Sequence, residues 1–260
     1  MTDVFFRNLG GDRYESTEHT QGAWNPNEQH LAAATGLLAH VLERIPGGEG
    51  KALSRISLDV LGMIPRGECE ITSAVVRPGR RVELLEAQWH AGGRTSIIAR
   101  AWRLARADTA GVAGTEDARL VPPESVEPSR HMDAWGGGFV RSLEYRPLPG
   151  RRAGSGAFWV RTGVELLEGV TASPLARLLG MVDVANGLAP RISPGDGAWS
   201  YPNVDLQLHL HRQPAGEWLG LEVRQQYGPE GVGLTSSVLH DADGPFGRAE
   251  QILLVRPGGH

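Results

Sequence analysis

The sequence predicts an α+β chain of two tandem units, each a single helix wrapped by an antiparallel sheet. Three observations predict it. Residues 203–212 alternate without a break: Val204, Leu206, Leu208 and Leu210 fall on one face, Asn203, Asp205, Gln207, His209 and His211 on the other. That is the period of a strand half buried in a sheet. An order of helix followed by strand-like meander occurs twice. The two halves also superpose at an offset of about 150 residues, as a diverged duplication would. Ile56, Leu58 and Val60 then match Leu206, Leu208 and Leu210, Val82 and Leu84 match Val232 and Leu234, and His90 matches His240.

Residues 4–20 read as two short strands joined at Gly10-Gly11. A helix is expected over 28–44, capped by Asn25 or Asn27, with Leu31, Ala34, Leu38, Val41 and Leu42 as its apolar stripe. Ile45-Pro46-Gly47-Gly48 ends it. Strands follow at 54–64, 68–76, 81–90 and 95–104, separated by Gly- and Pro-containing turns. Residues 107–134 change to Thr, Ala, Gly, Asp and Pro and read as a linker with a Pro-stiffened middle. The organisation is therefore a first unit over 1–106, a linker over 107–134 and a second unit over 135–260. In the second unit, 139–145 and 157–162 read as strands and 173–188 as the helix. The meander returns at 203–212, 217–227, 232–240 and 248–256.

Composition narrows the function. With 40% hydrophobic and 22% charged residues the 260-residue chain is globular. Its 35 glycines and 17 prolines mark turns between many short elements rather than disorder. A formal net charge of -4 with no basic block argues against nucleic acid as a partner. The longest apolar run, near 31–42, is too short to span a bilayer. Asp3, Arg7, Asp12 and Arg13 break any signal-like start, and the single Cys69 fits a reducing compartment, so a cytoplasmic location is expected. Self-association is left open.

Arg77-Pro78-Gly79-Arg80, Asp183-Val184-Ala185-Asn186-Gly187, residues 205–212, Glu217-Trp218-Leu219, His240-Asp241-Ala242-Asp243-Gly244 and Gln251 follow one another in that order. On these residues the sequence resembles the acyl-CoA thioesterase II family, whose fold is a double hotdog. In that family an aspartate on the second-half helix, a hydroxyl residue opening the next strand and a glutamine on the last strand hold the attacking water. Asp183 and Gln251 match the first and third. Asn203 stands at the hydroxyl position, where it can donate and accept hydrogen bonds but cannot relay a proton.

The resemblance implies hydrolysis of acyl-CoA to acid and coenzyme A, with Asp183, Asn203 and Gln251 as the catalytic set and neither metal nor organic cofactor. The chemistry needs a positioned water, a base and donors for the oxyanion. A thiol with a pKa near ~8.5 leaves as thiolate without a strong acid. Enoyl-thioester hydration by His30 and Glu28, for which a capping or surface role at the helix start is the default reading, and acyl-thioester binding without catalysis remain as alternatives. At the about-150-residue offset, Asp183 corresponds to Ala33 and Gln251 to Ala101, so the first half is expected to supply a pocket wall rather than chemistry. His209 and His211 share a strand face without a convincing third metal ligand, which favours a solvated polar face. Arg77, Arg80 and Arg81 are either a coenzyme A phosphate contact or a solvated turn. Cys69 reads as a buried strand thiol.

Overall fold

The computed structural model describes residues 3–130, 132, 135–192 and 198–258. The first half contains β1 (Val4–Gly10), β2 (Arg13–Ser16), α1 (Leu31–Arg44), β3 (Lys51–Val60), β4 (Glu68–Arg77), β5 (Val82–Ala91) and β6 (Arg94–Ala105). The second contains α2 (Gly138–Arg141), β7 (Leu143–Pro147), β8 (Ser155–Thr162), β9 (Glu165–Leu167), α3 (Pro174–Leu179), α4 (Ala185–Leu188) and β10 (Trp199–Ser200). Its meander follows as β11 (Asp205–Leu210), β12 (Leu219–Tyr227), β13 (Val232–Asp241), β14 (Gly244–Leu254) and β15 (Arg256–Pro257).

Thirteen strands form one sheet in the order β7-β8-β12-β13-β14-β11-β3-β6-β5-β4-β2-β1-β9. The halves meet in two strand pairs: the short parallel pair β1–β9 and the longer antiparallel seam β3–β11, with Leu58 opposite Leu206 and Ile56 opposite Leu208. These four side chains are almost completely buried on the inner face, as period-2 alternation requires. Val204 departs from the alternation; it precedes β11 and is 43% exposed. One irregularity recurs in both halves: β5 shifts register between Trp89 and His90, and β13 between Leu239 and His240. The two bulges stand at positions that the about-150-residue offset pairs.

The sheet wraps α1, which is buried from Leu31 to His40 and again at Leu42. Ala32, Ala33, Ala34, Gly36 and Ala39 keep this helix thin. Its N-cap is His30, whose Nδ1 accepts the Ala32 N–H at 3.2 Å, rather than either asparagine. Asn25 spends its side chain on the Asn27 N–H, within the preceding loop.

The expected second helix over 173–188 is broken into α3, a 3-10 turn at Val182–Val184, and α4. The break follows Gly180, where α3 meets α1: a Cβ on Gly36 would stand 2.9 Å from Gly180 Cα. Apolar periodicity runs on through Leu175, Leu178, Leu179 and Val182, which is why it reads as one helix. The strand expected over 139–145 begins instead as the helical turn α2. Gly137 has φ +97°, and a Cβ on Gly138 would collide with the Glu18 carbonyl. This close backbone approach seats Phe139 in the core.

Within the linker, the later residues lie along the second half. The Trp159 indole donates to Val121 O at 2.8 Å, Arg146 Nη1 donates to Pro123 O at 2.8 Å, and the Ser129 N–H donates to Tyr145 O. No helix among the described residues is long and apolar enough to cross a membrane.

Candidate active site

Asp183 lies in the short 3-10 turn after the Gly180 break, flanked by buried Val182 and Val184. It is 6% exposed, so its carboxylate must be paired or strongly hydrogen-bonded. Three side chains from distant parts of the chain do this. Gln251 Nε2 donates to Oδ1 at 2.6 Å, and Asn203 Nδ2 donates to the same oxygen at 2.9 Å. His30 Nδ1 lies 3.1 Å from Oδ2.

Local structure aims each partner. On β14, Ala249, Gln251 and Leu253 alternate inward and are 1–2% exposed. Gln251 is thus held behind Asp183 and is not part of the cavity wall. Asn203 follows Pro202, forms an isolated bridge with Leu253 and also donates to Asp205 O at 3.2 Å. His30 is fixed through its neighbours. Its N–H donates to Thr20 O, the Gln29 N–H donates to Ile64 O, and Gln29 Nε2 donates to Pro65 O. Its ring stacks on Phe139 with centroids 4.5 Å apart.

Asp183, Asn203 and His30 open onto a cavity of about 390 Å³, the size of a small-molecule pocket. Its remaining wall is largely apolar and comes from both halves, with Leu31 and Met63 on one side and Trp135, Val140 and Val184 on the other. Glu28 also lines it; burial pushes its carboxyl above the ordinary range, against the pull of the His30 charge and the Asn25 backbone. Beneath the cavity, Asn186 Nδ2 donates to Tyr201 O, and Gln225 Nε2 donates to Asn186 Oδ1 at 2.9 Å.

The three residues singled out from the sequence therefore meet at one carboxylate. The first half does more than form a wall, because His30 reaches Asp183 across the repeat interface. Sequence reading missed that contact, since capping and surface roles explained a histidine at a helix start. Ala101 is the alanine that corresponds to Gln251, and it is wholly buried beside Ile56 and Leu85. His209 and His211 are exposed. Arg77, Arg80 and Arg81 do not line the cavity, and Arg77 Nη1 donates to Val82 O within its own turn. Burial pushes the Cys69 thiol up to about 12, which suits a packing residue and not a nucleophile.

Residues 20–104 match the family described as acyl-CoA thioesterase N-terminal domain, and residues 122–255 match the acyl-CoA thioesterase C-terminal domain. No curated protein matches the sequence. Among solved structures, an acyl-CoA thioesterase II from Mycobacterium marinum is 15% identical, with a TM-score of 0.67 over 98% of this chain and 96% of its own. The tesB protein of Mycobacterium avium subspecies paratuberculosis is 14% identical, with a TM-score of 0.68 over 97% and 96%. A hot dog protein of unknown function from Alicyclobacillus acidocaldarius is 12% identical, with a TM-score of 0.74 over 96% and 95%.

Proposed function

The chain belongs to the acyl-CoA thioesterase family, and from that membership we propose that it hydrolyses acyl-CoA to free acid and coenzyme A with a water activated by Asp183. It is a thioesterase of double hotdog architecture. One observation carries the finer reading: a buried carboxylate with one oxygen tied to two amide donors stands at the wall of an apolar cavity. Oδ1 is occupied by Gln251 and Asn203, which leaves Oδ2, 3.1 Å from His30 Nδ1, as the oxygen through which Asp183 acts.

Gln251 and Asn203 fix the carboxylate, and the acyl chain fills the cavity between the halves. Backbone N–H groups at the start of α1 supply the oxyanion donors, a helix end being suited to developing negative charge. Residues 1–106 and 135–260 are the two units of the duplication, joined by 107–134. The paired bulges at His90 and His240 support that division. An acyl-CoA substrate and a single cysteine both suit a cytoplasmic enzyme.

The test is thiol release over a panel of acyl-CoAs of graded chain length and bulk, followed for the wild type and Asp183→Asn. Turnover that Asp183→Asn abolishes is the expected result. Wild-type turnover in that variant would remove Asp183 from the reaction. Enoyl-thioester absorbance in the same panel detects hydration, the chemistry a His30–Glu28 pair would carry.

A further inference from the structure

His30 Nδ1 sits between two groups that ask opposite things of it. The Ala32 N–H, at 3.2 Å, needs a lone pair there, whereas an ionised Asp183 Oδ2, at 3.1 Å, needs a proton. One nitrogen cannot satisfy both in a single protonation state. The amide donors of Gln251 and Asn203 both converge on Oδ1, so Asp183 accepts there and Oδ2 is left to accept from the ring. The proton then belongs on Nδ1, and Nε2, the ring nitrogen remote from Asp183, keeps its lone pair. The Ala32 N–H is a first-turn donor that no intrahelical carbonyl can reach.

We propose that His30 of the first half and Asp183 of the second form one proton-accepting unit, in which the carboxylate holds the imidazole and the imidazole stores the proton taken from water. This deepens the hydrolytic reading of the same cavity and rests on it. A water O–H bond breaks as its oxygen bonds the thioester carbonyl carbon, and the proton passes to the imidazole. The tetrahedral intermediate then collapses, the C–S bond breaks, and the same proton returns to the thiolate sulfur. With Nδ1 on the carboxylate and a lone pair on Nε2, the imidazole can take the proton and hand it on. Among the described residues, the titratable groups beside the ring are Asp183 and Glu28, Phe139 covers one ring face, and Arg256 lines the same cavity. The site is therefore incomplete in either half alone.

A helix cap and a proton acceptor can be told apart, because Asn and Ser cap helices well and lack an imidazole. For His30→Asn and His30→Ser, Tm should hold while kcat falls by roughly 10²-fold or more with KM little changed. The acid limb of kcat/KM should move in both variants, because the imidazole that takes the proton is gone. In the wild-type protein, imidazole nitrogen shifts should report Nδ1–H, a readout that needs no variant. A stable variant with wild-type kcat and an unmoved acid limb, or a wild-type ring carrying its proton only on Nε2, would overturn the proposal. Activity in His30→Asn beside loss in Asp183→Asn sinks the pair alone; full activity in Asp183→Asn removes Asp183 from the reaction and the pair with it, and a wild type that releases no thiol from any acyl-CoA sinks the hydrolytic reading itself.

Discussion

Gly36 of α1 and Gly180 at the end of α3 meet backbone to backbone: a Cβ on Gly36 would stand 2.9 Å from Gly180 Cα, and one on Gly180 would stand 3.3 Å from Gly36 Cα. A Cβ on Gly36 would also stand 3.0 Å from the Ala176 carbonyl oxygen and 3.1 Å from Leu166 Cδ1. Asp183 lies three residues beyond Gly180, so this crossing sets the position of the carboxylate.

Gly36→Val is therefore expected to destabilise the fold by about 1–3 kcal/mol, the usual cost of overpacking. Turnover should fall alongside, since α3 cannot move away from α1 without carrying the 3-10 turn with it. Thermal denaturation and thiol release check the two effects. An unchanged Tm would mean that the helices do not approach so closely.

Asn203 and Gln251 both donate to Asp183 Oδ1, so their contributions should not add. Asn203→Ala and Gln251→Ala are each expected to lower kcat, and the double variant should lose less than the product of the single losses. Steady-state kinetics of the four proteins give the coupling. Strict additivity would show that the amides act on separate groups. Asn203→Thr is the complementary change, and it should retain activity if a hydroxyl donor can replace the amide.

Much of this was legible in the sequence and some was not, for physical reasons. Period-2 runs such as Val82–Ala91 announce strands because one face is buried. The His90–His240 match located the repeat because equivalent bulges demand equivalent spacing. Gln251 could be named only through a family resemblance, since a lone amide on a strand reads equally well as an edge residue. His30 was invisible as a partner of Asp183: the two lie far apart in sequence, and capping already explained the histidine. The break at Gly180 was hidden because what interrupts the helix is a contact with another helix, which local periodicity does not record.

The Arg212–Asp241 pair makes an acid-sensitive clamp. Arg212 Nη1 and Nη2 donate to the two oxygens of Asp241 at 2.6 and 2.5 Å, and the Ala215 N–H adds a third donor at 2.8 Å. Burial pushes the Asp241 carboxyl up, but these hydrogen bonds and the guanidinium charge hold it below its usual range. A depressed folded pKa contributes stability above the unfolded value and loses it as pH falls through the folded one. Asp241→Ala should cost on the order of 3 kcal/mol at neutral pH, since it strands a partly buried charge. The gap from wild type should narrow below about pH 4. Denaturant unfolding at several pH values checks both; a pH-independent gap would rule the clamp out.

His240 acts in a different window. It is completely buried, neither ring nitrogen has a hydrogen-bond partner among the described residues, and burial holds its pKa down at about 4. The unfolded chain takes up the proton below about pH 6.5 and the folded chain does not, so stability should fall between about 6.5 and 4. His240→Leu should flatten that part of the profile, a change on the order of 3 kcal/mol across the window. Chemical denaturation at pH 7 and pH 4.5 suffices to see it. An equal pH response in both proteins would show that the ring titrates freely.

The hydrogen-bonded seam between β3 and β11 also bears on what would happen to a divided chain. Each strand is the other's neighbour over positions Arg55–Asp59 and Asp205–His209. Cut in the linker, each half would carry a long, apolar-faced edge with unpaired N–H and C=O groups, a template for joining any similar strand. The intact sheet instead ends in β7 and β9, only 5 and 3 residues long, which offer little to an intruding chain. Fusion of the halves thus protects the protein from its own aggregation. A separately expressed half should be recovered paired through that edge or as precipitate, and adding the other half during refolding should rescue solubility.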